Sequence, residues 1–351
     1  MVPSNNLLPY LDAVAVPPDV DLENGSFNVD TGAFFPASGN GVVYPIVNGP
    51  APSGGVPVRV LVVHDLTFNN VNITIDGLRP AGALEILATG NVNINGRNVV
   101  FGPFSAAGCD AGSGATSTDA KHHTGGGGGG GFATSGGAGG SVTSLAGGGT
   151  AGSAGGTAEL VPLRGGCPGG STQFGPGGGG GAAIQISSFG TITLHGTLIA
   201  DGGHPSSPVT GDNGVIFNRG IGVGGGAGGG VLIEAPTVVL DNAAILLARG
   251  AGGTSRSFYP ADPADSASFE SGGLCGNDGS CGAGGDGASP TTNGHDGQSI
   301  VFDTNDTRQY AAGGGGGGDG RIRINTLDGM FTRGNNSVIA GSVTNGKIVL
   351  Q

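Results

Sequence analysis

Tryptophan is absent from this sequence, and basic residues are scarce: 13 Lys and Arg stand against 25 Asp and Glu, for a net charge of −12. This balance leaves no electrostatic footprint for nucleic acid, so nucleic-acid binding is excluded. No apolar run reaches the length of about 18 residues that a membrane-spanning helix needs. A convincing helical period is also missing, and the fold class is therefore predicted to be all-β.

The N-terminus lacks the basic and apolar segments of a secretory leader. Two explanations stay open: the protein is not exported by such a leader, or the chain begins after a leader has been removed. We favour the second, because the composition is typical of extracellular proteins. The expected localisation is extracellular or at the cell surface, with the leader sequence absent from this chain.

Glycine dominates what is present, with 80 of 351 residues, about three times its usual share. The longest runs are Gly125–Gly131, Gly177–Gly181, Gly224–Gly230 (which contains Ala227) and Gly313–Gly318. Glycine loses more backbone freedom on ordering than any other residue, so an ordered run needs a compensating gain. Peptide groups can supply it, because extended polyproline II-like chains point their N–H and C=O groups outwards, towards neighbours of the same kind.

A strand–turn–strand repeat occurs along the chain, and its last three copies follow the last three glycine runs. Residues 83–96 match residues 183–196 without a gap, with isoleucine at the fourth place, glycine at +4 and +10 from it, and apolar residues at +6 and +8. A third copy begins at Val231 with one residue missing, and a looser fourth copy begins at Ile322. One copy buries little apolar surface, but stacked copies form a continuous core. The repeat therefore predicts a parallel β-helix, or β-solenoid, over residues 56–351.

Three glycine-rich insertions separate the copies, at residues 102–182, 200–230 and 248–320, and they hold 63 of the 80 glycines. Each leaves and re-enters at the same point of the repeat, so we expect them to pack along one side of the solenoid as polyglycine II-like strands. Disordered loops are the open alternative, since long Gly/Ser-rich segments are usually flexible. Residues 1–55 are expected to form an extended N-terminal lead-in or cap.

The four cysteines all lie in glycine-rich segments: Cys109, Cys167, Cys275 and Cys281. None has the spacing of a zinc or redox motif, so we expect two structural disulfides, Cys109–Cys167 and Cys275–Cys281. Four unpaired buried thiols are the alternative.

No residue pattern predicts a catalytic or cofactor-binding site. The acids and lysines that could serve one are scattered: Glu85, Glu234, Asp201, Asp241, Lys121 and Lys347. Glycoside hydrolysis needs two carboxylates that flank one bond, and separate coils of the solenoid could still supply them. No catalytic residue is assigned.

Two stretches carry residue types that bind metals. His122 and His123 are adjacent, but the lysine and aspartate beside them favour a polar loop tip. Residues 277–287 and Asp303–Asp306 supply oxygen ligands of the kind that calcium takes, without the spacing of an EF-hand or a β-roll. Solvated turns are favoured there. No metal ligand or cofactor is assigned, and a structural calcium ion stays open.

The alternation of glycine run, strand, second strand and insertion over about residues 56–350 resembles a group of large glycine-rich secreted proteins of predatory and soil bacteria. Members of that group are surface proteins or lipoproteins. The insertions also resemble the polyglycine II bundles of long-tailed phage adhesins and of a glycine-rich insect antifreeze protein, neither of which has the β-strand repeat.

We therefore expect a non-enzymatic structural or adhesive surface protein, whose rigid glycine-rich scaffold presents the loop tips Ser117–Thr124 and Ser255–Phe269. Surface glycans or further copies of the chain are the expected partners. The alternative function is a carbohydrate-active β-helix enzyme, either a polysaccharide lyase or a hydrolase. Ice binding follows only from the glycine composition, because the strands carry Thr191 and Thr193 but no threonine ladder.

Overall fold

The computed structural model describes residues 1–49, 58–74, 83–101, 114, 123–173, 175–204, 209–210, 216–217, 222–255, 282–288, 292–301 and 310–349. The regular secondary structure of these residues is nearly all β, which confirms the predicted class, and the only helices among them are short 3-10 helices at Ser4–Asn6 and Leu8–Ala13. Four strands come first along the chain: β1 (Val20–Asn28), β2 (Ala33–Pro36), β3 (Val42–Val43) and β4 (Ile46–Asn48).

The later strands recur in groups that the glycine-rich insertions separate. They are β5 (Val58–Val63), β6 (Leu66–Thr74), β7 (Ala83–Ala88), β8 (Val92–Asn95), β9 (Arg97–Phe101), β10 (Ala183–Ser188), β11 (Thr191–Leu194), β12 (Thr197–Ile199), β13 (Val209–Thr210), β14 (Ile216–Phe217), β15 (Gly230–Glu234), β16 (Thr237–Leu240), β17 (Ile245–Leu247), β18 (Arg321–Thr326), β19 (Thr332–Arg333), β20 (Val338–Ala340) and β21 (Ser342–Lys347). All but the small β13–β14 hairpin belong to two large sheets.

One sheet has seven strands in the order β21-β18-β15-β10-β7-β5-β4. The other has 12 strands and runs β19-β16-β11-β8-β6-β9-β12-β17-β20, with β1, β2 and β3 joined to β6. The long strand β6 pairs with β8 through its first half and with β9 through its second half, so this sheet curls. The sets β7–β9, β10–β12, β15–β17 and β18–β20 each contribute their first strand to the seven-stranded sheet and the next two strands to the other, an arrangement compatible with a parallel β-helix.

The strand register reproduces the sequence repeat. Ala183 pairs with Ala83 and Ile192 pairs with Val92, so the gap-free match of residues 83–96 to 183–196 is confirmed as a structural register. Apolar side chains at alternate positions then stack from strand to strand. The main core lies between the two sheets and includes Leu84, Ile86, Ile184, Ile186, Val231, Ile233, Ile322 and Ile324.

The N-terminal residues form strands that pair with both sheets. Strand β1 pairs in parallel with β6 along its length, and its buried side chains Val20, Leu22 and Phe27 join the main core. Strands β2, β3 and β4 add antiparallel pairs at this end. Asp30 and Arg59 form a buried ion pair of 3.1 Å between this region and β5. These strands cover the edges that β5 and β6 would otherwise expose.

The glycine segments bond to one another through their backbones. The run Gly125–Gly131 contacts segments from all three insertions, and residues three apart along it share a neighbouring segment. Gly126 and Gly129 donate to Gly140 and Gly137, and Gly127 and Gly130 donate to Gly222 and Gly225, over 2.7–2.9 Å. The run also accepts bonds from Gly149, Gly152, Gly170, Gly315 and Gly318. The peptide groups of these segments therefore satisfy each other.

This packing requires glycine, because the neighbouring backbones leave no room for a side chain. A Cβ atom added to Gly126, Gly129 or Gly130 would lie under 3.0 Å from a backbone atom of a neighbouring glycine-rich segment. Real Cβ atoms essentially never approach so closely. The buried ion pair of Arg249 with Asp201, at 2.8 Å, further joins the second and third insertions.

The predicted disulfides stay predictions, because Cys109, Cys275 and Cys281 lie outside the described residues. Cys167 is buried at 1% exposure, and its carbonyl oxygen accepts a bond of 2.9 Å from Ala227 N–H. Alkylation and mass spectrometry of unreduced protein test the pairing. Two bridges leave no reactive thiol, whereas four alkylated cysteines would contradict them.

Candidate functional site

A polar cluster is buried on the outer face of the seven-stranded sheet, the face opposite the main core. Its members lie on strands from four different coils: Glu85, Gln185, Ser187, Glu234 and Asn325. Register brings them together, because Gln185 pairs with Glu85 and Ser187 pairs with Glu234, while Glu234 in turn pairs with Asn325. Their neighbours in sequence point to the main core, so alternation sends this polar set to the other side.

Residues 1–14, which we call the N-terminal strap, cover this face. Leu7 is fully buried in a hydrophobic cluster that includes Val58, Val60 and Val62 of β5 and Leu160 and Leu163 of the first insertion. Val2 N–H donates to the carbonyl of Val349 over 2.7 Å, which fixes the start of the strap beside the end of β21. The strap therefore spans the sheet across several strands.

Glu234 is the hydrogen-bonding centre of the cluster. Its two carboxylate oxygens accept bonds from five donors at 2.6–3.0 Å: Ser4 N–H, Ser4 Oγ, Gln185 Nε2, Ser187 Oγ and Asn325 Nδ2. A carboxylate only accepts, so five convergent donors suit it. Glu234 is 1% exposed. Its lone pairs are engaged by the protein itself, and it has no free oxygen to offer a substrate.

Asn5 joins the strap to two other elements. Its amide nitrogen donates to Gln185 Oε1 over 2.8 Å and to the Leu160 carbonyl over 3.1 Å. Its amide oxygen accepts the backbone N–H of Leu163 over 3.2 Å. Asn5 has a positive φ of 57°, a conformation that asparagine tolerates better than most residues. The strap, the sheet and the first insertion therefore meet at this side chain.

Glu85 has a different environment from Glu234. It is 2% exposed, and burial, with a smaller effect of the negative charge of Glu234, raises the pKa of Glu85 from 4.5 to about 8. Burial and the nearby Glu85 also raise the pKa of Tyr10 in the strap. At neutral pH Glu85 is therefore mainly protonated, and its ionisation would place a second negative charge under the strap.

We predict that Glu85 makes stability fall with rising pH. Because its folded-state pKa is raised, its contribution is fully present below 4.5 and is lost as the pH rises through about 8. Glu85→Gln, which cannot ionise, should lose less stability than the native chain between about pH 5 and about pH 9. Thermal unfolding across this range checks it. Exposed Glu159→Gln is the control, and equal pH slopes for the native chain and Glu85→Gln would contradict the prediction.

The two glutamates do not form an open carboxylate pair. Sequence alone leaves them isolated, and the structure brings them to one sheet face with β10 between their strands. Both are buried. Among the other acids, Asp201 is held by Arg249, and the exposed Asp241 carboxylate lies 2.6 Å from His195 Nδ1. That hydrogen bond lowers the pKa of Asp241.

The structure describes only part of the histidine pair, the calcium-type segments and the two predicted loop tips. The prediction of a polar loop tip is wrong for His123, which is fully buried. Its Nδ1 accepts a 2.9 Å hydrogen bond from Tyr310 N–H, and the His123 ring packs edge-on against the Tyr310 ring, with 5.5 Å between the ring centres. His122, residues 277–281, Asp303–Asp306 and most of both predicted tips lie outside the described residues. Residues 282–287 of the first calcium-type segment are described, and the exposed Asp286 carboxylate lies 3.4 Å from His295 Nδ1. Thr124 and Ser255, at the borders of those tips, are buried.

One group that sequence reasoning missed could hold a cation. Asp19, His64 and Asp65 place their ligand atoms within 4.8 Å of one another. Asp19 precedes β1, and the other two residues form the turn between β5 and β6, so only strand pairing brings them together. Hydrogen bonds already engage all three: the Asp65 carboxylate accepts from Asn91 N–H, His64 Nδ1 lies 2.9 Å from Thr89 Oγ1, and Asp19 Oδ1 accepts from Asp65 N–H over 3.3 Å.

Comparisons with protein-family models, with curated proteins and with solved structures find no match to this chain. Within the described residues, no helix combines the length and the apolar character needed to cross a membrane.

Proposed function

We propose that this protein is a non-enzymatic extracellular structural or adhesive surface protein, in which a parallel β-helix carries a rigid polyglycine II-like scaffold. The observation that carries the proposal is the threefold periodicity of the backbone bonds around Gly125–Gly131. Three residues per turn and outward peptide groups are the properties of a polyproline II helix. Flexible linkers would have no fixed partners.

The links between scaffold and sheets also favour a stiff body. Arg321 on β18 donates from Nε and Nη2 to the Gly155 carbonyl at 3.2 and 3.0 Å, and its guanidinium lies 5.7 Å from the centre of the Phe132 ring. Thr344 on β21 donates to the Ala158 carbonyl over 2.9 Å. A scaffold tied to the sheets in this way is stiff, which reduces the entropy that the described part of the protein loses on binding a surface.

The alternative enzyme function receives less support from the same geometry. A retaining or inverting glycosidase needs two accessible carboxylates on either side of the bond that is cleaved. Glu85 and Glu234 are the acids that register brings to one face, and the strap covers both. A carbohydrate partner is therefore proposed as a bound surface rather than as a substrate.

The proposal is tested by applying purified, labelled protein to glycan arrays and bacterial cells, beside a screen of polysaccharides for released reducing or unsaturated sugars. We expect binding without any release of sugar. Gly129→Ala should weaken multivalent binding to cells, because it loosens the scaffold, whereas Gly155→Ala should not, because its added Cβ has no atom within 4 Å. Sugar release would overturn the proposal in favour of the enzyme.

A further inference from the structure

Exposed apolar side chains are concentrated at the two ends of the strand stack. Eleven large hydrophobic side chains are exposed among the described residues, and nine of them lie at these ends. Four belong to the N-terminal cap, residues 16–48: Val16, Phe35, Val42 and Val43. Five belong to the last coil, residues 321–349: Leu327, Met330, Val338, Val343 and Val349. Clustered exposed apolar residues mark interaction surfaces better than scattered ones do.

The same two ends carry open strand edges. In the described part of the chain, β3 pairs only with β2 and β4 only with β5 at the cap. At the other end, β19, β20 and β21 pair only with β16, β17 and β18. An open edge presents unpaired N–H and C=O groups, which another strand can complete. Both ends are therefore suited to strand addition.

The ends differ in charge. Residues 1–58 contain five acidic residues and no lysine or arginine, and the acidic Asp19, Asp21 and Glu23 are exposed. Residues 321–351 contain four basic residues and one acidic residue, Asp328, in a chain whose net charge is −12. Arg333 and Lys347 are exposed there. The cap of one copy is therefore electrostatically complementary to the last coil of another, whereas two caps or two last coils would repel.

We propose that the chain associates with itself end to end, with the N-terminal cap of one copy docked on the last coil of the next. Opposite charges orient the copies, open edges supply backbone bonds and the exposed apolar side chains become buried. A head-to-tail contact uses two different surfaces and does not close on itself, so it generates linear filaments rather than a closed dimer. This inference goes beyond the proposed function, because it holds whatever the loops bind.

A charge-swap experiment tests the proposal by sedimentation velocity and negative-stain electron microscopy. Native protein at low salt should form a concentration-dependent series of linear oligomers. Association should weaken at about 1 M salt, where charges are screened beyond about 3 Å. The cap variant Asp21→Lys/Glu23→Lys and the coil variant Arg333→Glu/Lys347→Glu should each associate about tenfold or more weakly, because like charges then face each other.

An equimolar mixture of the cap and coil variants should recover association. The positive cap of the cap variant can then dock on the negative last coil of the coil variant, and the negative cap of the coil variant can dock on the positive last coil of the cap variant. Asp286→Lys/Asp296→Lys is the matched control, because these exposed acids lie in the third insertion and belong neither to the cap nor to the last coil. It should associate like the native chain. A native protein that stays monomeric, a discrete closed dimer, or association that is indifferent to both charge reversals would overturn the proposal.

Discussion

Gly128→Ala is expected to lower the melting temperature by several degrees, while Gly147→Ala leaves it unchanged or slightly higher. A Cβ atom on Gly128 would lie under 3.0 Å from the carbonyl oxygen of Thr150, whereas one on Gly147 would have no atom within 4 Å. Inserting atoms into packed structure typically costs about 1–3 kcal/mol. At an unobstructed site, alanine instead stabilises by about 0.4–1 kcal/mol through the unfolded state.

Comparing these two variants separates the effect of close packing from the general effect of replacing a glycine by alanine. Both positions are glycines of the first insertion, and neither has a positive φ that alanine would resist. Calorimetry or thermal circular dichroism measures the difference. If both variants have the same melting temperature, Gly128 is not packed against Thr150, and the proposal that the glycine segments form a rigid scaffold is wrong.

Glu234→Ala is expected to destabilise the protein strongly, by about 3–5 kcal/mol, because it leaves several buried donors without an acceptor. Ser4 loses both of its bonds to Glu234 and keeps only the bond that its carbonyl accepts from Gln185 Nε2, so the strap should detach first. Denaturant unfolding measures the free-energy change, and limited proteolysis within residues 1–14 reports the release of the strap. The exposed Glu159→Ala should change neither readout.

The conservative variant Glu234→Gln sharpens this test. It keeps the volume, but its amide nitrogen cannot accept from the N–H donors, so at least one of the five bonds is lost, while a serine hydroxyl can reverse and accept from the amide. Its destabilisation should lie between those of the native chain and Glu234→Ala. A Glu234→Ala protein as stable and as protease-resistant as the native chain would show that the strap is held by apolar contacts alone.

The strand register was predictable because side chains encode it. A single-residue slip would move an entire apolar row from the core to the opposite face, so the gap-free match of 83–96 to 183–196 admits one pairing. The one-residue deletion in the third copy of the repeat is also visible in the strand register. Ser187 pairs with Glu234 at an offset of 47, but Thr191 pairs with Thr237 at an offset of 46.

The neighbours of each glycine segment could not be predicted, because glycine has no side chain to specify a partner. That Gly127 donates to Gly222 rather than to another glycine depends on where the strands place the ends of each insertion. The buried cluster was hidden for a related reason. Ser4 and Glu234 are 230 positions apart, and nothing local in either segment indicates their contact.

The N-terminal region did carry an overlooked signal. Val20 and Leu22 are separated by one polar residue, which is the period of a half-buried strand, and both are buried in β1. Two asparagines and a glycine within the strand obscured the pattern. Asn24 adopts a positive φ of 50° there, and its side-chain oxygen accepts a bond of 3.1 Å from Asn70, which stabilises the irregular step.

Amide hydrogen exchange along Gly125–Gly131 and Gly313–Gly318 tests the central claim most directly. The amides of Gly126, Gly127, Gly129 and Gly130 donate to carbonyls of other segments, as do those of Gly314 to Gly318. We predict that they exchange slowly, with protection comparable to that of the strand amides of β10 and β15. Rapid exchange throughout both runs would show that the glycine segments are flexible loops, and the rigid scaffold would be contradicted.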